Sequence, residues 1–103
     1  MSWETEWQAL SDRIQGVVDA ASYVRPEGSS VSGSSHEEGI LRIAREIADA
    51  LCAFHFRHHE SVPSVVAPIF RFKGGIDSHL RSLRRMIPEL ILVRSEVNYI
   101  LAD

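Results

Sequence analysis

The stretch WETEWQALSDRIQGVVDAASYV, residues 3–24, decides the fold class. Its apolar stripe consists of Trp3, Trp7, Leu10, Ile14, Val17, Ala21 and Val24. Spacings that alternate between four and three place such residues on one face of an α-helix, with near-heptad regularity. Ser2 is the N-cap candidate, and the acidic first turn suits the positive end of the helix dipole. Pro26 stops the pattern, so the sequence predicts a first helix between Ser2 and Pro26.

A serine-rich segment, RPEGSSVSGSS at residues 25–35, separates this helix from the next apolar run. Its proline, glycines and five serines predict a flexible internal loop. Ser35 and Glu38 then form a capping-box pattern, which predicts that a second helix begins at Ser35. The predicted stripe of that helix is Ile40, Ile43, Ile47, Leu51 and Phe54, widened by Leu41, Ala44, Ala48 and Cys52. A stripe this broad predicts a central helix with neighbours on two sides.

The segment SVPSVVAPIFRFKGG, residues 61–75, mixes strand-forming residues with two prolines. Because proline disrupts a paired strand, we expect a short helix that opens near Pro63. Pro68 is expected to kink or restart this helix, and the Gly74-Gly75 pair to end it.

The last segment restarts at Asp77 and keeps a three-four rhythm that only Arg94 interrupts. The residues in this rhythm are Ile76, Leu80, Leu83, Ile87, Leu90, Val97 and Leu101. Because Pro88 lies inside the rhythm, we expect two helices, 77–87 and 88–102, that meet at a bend. The sequence therefore predicts an all-α fold, a compact bundle of four to five helices forming a single domain over residues 1–103.

Composition excludes several classes of protein. The chain has 103 residues, 45% of them hydrophobic, which argues against disorder. Its net charge of −3 provides no strong field for nucleic acid or anionic lipid, so we consider a nucleic-acid partner unlikely. The single cysteine, Cys52, excludes an internal disulfide. With no basic-then-apolar leader and no transmembrane segment, a cytoplasmic protein is expected.

Three histidines cluster in FHFRHHE, residues 54–60. On a helix, His55 is one turn from both His58 and His59, a spacing that can present imidazoles to one metal ion. The alternative is structural, since cationic side chains in the last turn of a helix interact favourably with its free carbonyls. We expect the structural role, and we keep a metal or ligand site as the alternative.

Two further groups of residues are candidates for partner binding. Trp3 and Trp7 lie on one stripe at a chain end, where they either pack on the core or form an interface hot spot. Arg81, Arg84 and Arg85 lie close to one face of the last segment and suit an acidic surface. We expect the tryptophans to belong to the core, although the sequence leaves both possibilities open.

No catalytic signature is present in the sequence, and neither catalysis nor a cofactor is expected. The sequence instead favours a non-catalytic protein–protein interaction module or adaptor. Its partner is another protein or a second copy of the chain, and self-association would use the heptad-like helix faces. Two alternatives remain: a small metal- or ligand-binding protein that uses the histidines, and an inhibitor or immunity-type protein that blocks an enzyme with its acidic first half.

Overall fold

The computed structural model describes residues 2–22, 31–74 and 83–102, with side chains described from position 37 to 72 in the middle range. These ranges contain four α-helices: α1 (Trp3–Ala21), α2 (Val31–His58), α3 (Pro63–Gly74) and α4 (Leu83–Ala102). No β-strand occurs in the described part of the chain. The predicted all-α class is therefore confirmed.

The first helix begins as its sequence predicts. Ser2 is extended, with φ −73° and ψ 153°, and its hydroxyl accepts a hydrogen bond from the backbone N–H of Thr5 at 3.4 Å. That bond satisfies one of the four N–H groups that a helix start leaves without a partner. The helix ends at Ala21, and Pro26 lies outside the described residues.

The second helix begins earlier than its capping-box pattern predicts. The backbone is already helical at Val31, so the prediction that the helix starts at Ser35 is wrong. Residues 31–35 of the predicted loop are thus helical, while 25–30 lie outside the described residues. Once a helix has nucleated, each added residue gains a backbone hydrogen bond, and serines tolerate that extension.

Each of the last two helices contains a proline in its interior. Pro63 is the first residue of α3, as predicted, and Pro68 lies within the same helix. Pro88 also lies inside one continuous α4, so the prediction that a new helix begins there is wrong. A proline inside a helix removes one backbone hydrogen bond, but Met86 and Leu90, on either side of Pro88, are both fully buried. We infer that this packing holds the helix together across the proline.

The helices pack lengthwise into an elongated body that measures 47 × 23 × 22 Å. A helix of the length of α2 spans about 42 Å, so α2 sets the long dimension. Contacts join α1 and α3 to both α2 and α4. Side-chain contacts of Trp7 with Asn98 and of Ser11 with Arg94 show that α1 and α4 run antiparallel.

The core follows the helical stripes, with departures in α4 and α2. In α4, Leu101 of the predicted rhythm is 39% exposed and Ile87 is half-buried, whereas Met86 and Val93, which lie outside that rhythm, are buried. In α2, Ile43, predicted to be inside, is 48% exposed, whereas Ala44 and Ala48 are completely buried. Small residues face the neighbouring helices there, and the larger Ile43 lies outside. Cys52 is half-buried rather than fully buried. The core residues with no exposed surface are Ile14, Ala44, Ile47, Ala48, Leu51, Phe54, Ile69, Met86, Leu90 and Val97.

Candidate interaction surface

The last helix carries two apolar faces. Its inner face is buried in the core and consists of Leu83, Met86, Leu90, Val93 and Val97. Its opposite face, here called the outer stripe, is exposed and consists of Pro88, Ile91, Leu92, Ser95, Tyr99 and Ala102. Every member of the outer stripe has another member three or four residues away, so they share one face of the helix. Ile91, Leu92 and Tyr99 are 45%, 51% and 76% exposed.

Polar contacts on both flanks fix the orientation of α4. Toward α1, the indole N–H of Trp7 donates to Oδ1 of Asn98 at 3.0 Å. One turn earlier on α4, Nε of Arg94 donates to the buried hydroxyl of Ser11 at 2.8 Å. These side chains turn the outer stripe away from α1. Arg94, which interrupts the apolar rhythm in sequence, is thus a link between the two helices.

A shallow groove lies between α3 and α4, beside the outer stripe. Its volume is about 430 Å³, and Ala67, Pro68, Arg71, Ser95, Glu96, Tyr99 and Ile100 line it. Arg71 and Glu96 form an ion pair that joins the two helices across the groove. Ser95 and Tyr99 belong both to the groove and to the outer stripe. The stripe and the groove therefore form one continuous surface with an apolar centre.

The predicted arginines lie at one end of this surface. Arg84 and Arg85 are exposed in the first turn of α4, about one turn before Pro88. Arg81 lies outside the described residues. A mainly apolar stripe thus has two guanidinium groups at its N-terminal end.

The predicted tryptophans belong to the inside of the molecule. Trp7 is 1% exposed, and its ring lies 5.9 Å from that of Phe54 between centroids. Trp3 is half-buried and packs against the same core. The tryptophans therefore belong to the core, as expected. Trp7 has almost no exposed surface that a partner could contact.

The histidine segment contacts two different helices. His58, in the last turn of α2, places its Nε2 3.1 Å from Oε1 of Glu6 and its ring 4.7 Å from that of Phe54. Arg57 forms an ion pair with the other oxygen of Glu6. The hydrogen bond from Arg57 is the main cause that lowers the pKa of Glu6, opposed by desolvation and supported by His58. These residues tie the start of α1 to the end of α2.

His55 and His59 face α3 instead. Their rings stack at 5.4 Å, and the ring of His55 lies 5.5 Å from that of Phe70. Nδ1 of His59 donates to the carbonyl oxygen of Phe56 at 3.0 Å, because a carbonyl can only accept. Both histidines line a groove of about 320 Å³ between α2 and α3. The hydrogen bond of His59 to a carbonyl in the last turn of α2 is thus the kind of contact predicted for a histidine at a helix end.

A metal site would need more ligands than these histidines bring together. Among the side chains that the structure describes, no group of three histidine, cysteine or acidic residues is arranged to hold a metal ion. His58 is directed to Glu6, away from the His55–His59 pair. Two imidazoles are half of the usual zinc ligand set.

The outer stripe is the feature that the periodicity of the sequence misses. A three-four rhythm assigns one apolar face to a helix, and that rhythm includes Leu90 and Val97. The signal for a second face is the uninterrupted run Leu90-Ile91-Leu92-Val93, which places apolar residues all around one helical turn. Such a run is unusual for a helix with one face in water.

Comparison of the chain with protein-family models, with curated proteins and with solved structures finds no significant match. A search of the described helices finds none with both the length and the apolar content that crossing a membrane requires.

Proposed function

We propose that this chain is a non-catalytic protein–protein interaction module that docks partners on the outer stripe of α4. The observation that supports this proposal is the pair of apolar faces on α4, of which the described part of the chain buries only the inner one. Exposed contiguous apolar surface is costly in water and typically marks a binding site. A partner would cover it.

The composition of the surface suits a helical partner. An amphipathic helix docks against an apolar surface through residues spaced three and four apart. The outer stripe contains the same spacings, so two such helices can pack side by side. Tyrosine and arginine, here Tyr99, Arg84 and Arg85, are enriched among the residues that contribute most to binding. The α3–α4 groove beside Tyr99 offers room for a partner side chain.

The proposal moves the docking surface away from the heptad-like faces that the sequence first suggests. Those faces include Leu10 and Ile14 of α1 and Leu90 and Val97 of α4, and all four residues are buried in the chain's own core. Exposing them would require unfolding. The outer stripe is available without any such change.

The test is selection of helical peptides from a displayed library on the immobilised chain, at a density too low for two copies to meet. Peptides with apolar residues at three-four spacing are expected to bind. Leu92→Glu should weaken their binding by about tenfold or more, since it places a charge at the centre of the apolar contact.

The matched control is Ile43→Glu on α2. Ile43 is 48% exposed and Leu92 51%, so both substitutions place the same charge at a similarly exposed apolar position. Ile43 lines neither groove. A library that yields no binder, or binders that tolerate Leu92→Glu as well as Ile43→Glu, would overturn the proposal.

A further inference from the structure

We draw no further inference here: the strongest candidate, the groove between α2 and α3 that His55, His59, Phe70 and Arg71 line, is mainly apolar and its arginine is already paired with Glu96, and nothing in the described part of the chain shows which ligand or partner would cover it.

Discussion

The hydrogen bond between Trp7 and Asn98 predicts that an exposed asparagine stabilises the fold as much as a partly buried core residue does. Asn98 lies on the surface of α4, where most substitutions change stability by less than about 0.5 kcal/mol. Its Oδ1, however, accepts the N–H of an indole that is 1% exposed. Asn98→Ala therefore leaves a buried donor without an acceptor.

The expected loss follows from these contacts. An unsatisfied buried donor costs about 1 to 3 kcal/mol, and the better helix propensity of alanine returns about 0.5 kcal/mol. The net loss for Asn98→Ala is thus about 0.5 to 2.5 kcal/mol. Trp7→Phe loses the same hydrogen bond and leaves a small cavity beside Phe54, and we expect about 2 to 3 kcal/mol.

A double-mutant cycle separates the hydrogen bond from the packing. The free energy of unfolding is measured by urea titration of the helical circular dichroism for the wild type, the two single variants and the double variant. We expect a coupling energy of about 1 kcal/mol, since the bond can be lost only once. Ser95→Ala is the surface control. Two results together would refute the hydrogen bond and the α1–α4 register that depends on it: a coupling energy below about 0.3 kcal/mol, and a loss of unfolding free energy for Asn98→Ala no larger than that for Ser95→Ala.

Two further predictions concern the histidine segment. Glu6→Gln should cost about 0.5 to 1 kcal/mol at neutral pH, where it weakens the contacts with Arg57 and His58. Folding lowers the pKa of Glu6 from 4.5, so the stabilising contribution of its carboxylate is present above that pH and is lost as the pH falls through the lower pKa of the folded state. The difference in unfolding free energy between wild type and variant should therefore shrink as acid-denaturation curves reach low pH. A difference that stays constant would contradict this. Excess zinc or nickel should leave the melting temperature unchanged, since His58 is directed to α1 while His55 and His59 face α3. A rise in the melting temperature would show that the native state has a metal site.

Local signals in the sequence predict the helices well where each signal has one structural outcome. Ser2 can cap a helix that begins after it, and Pro63 can open one, and both do so. Ser35 and Pro88 have two outcomes each, because either can also lie inside a helix that its neighbours hold together. In both cases the structure continues the helix where the sequence favours a start.

The polar contacts of the fold could not be predicted from sequence patterns. Glu6 and His58 are 52 residues apart, and Trp7 and Asn98 are 91 apart. Helical spacing relates residues one or two turns apart, and it gives no information about which helix lies opposite. The same limit explains Ile43, whose exposure depends on the position of α1 and α3 around α2.

The polar contacts of α4 bear directly on the proposed docking. A surface that is already ordered before binding loses less conformational entropy on association than one that must become ordered. Trp7 and Ser11 hold one flank of α4 through Asn98 and Arg94, and Arg71 holds the other through Glu96. These contacts leave the outer stripe facing solvent on a helix that is fixed on both sides. A chain of this size that exposes so much apolar surface on a fixed helix gains stability when that surface is covered, and the same rigidity lets the covering partner be specific.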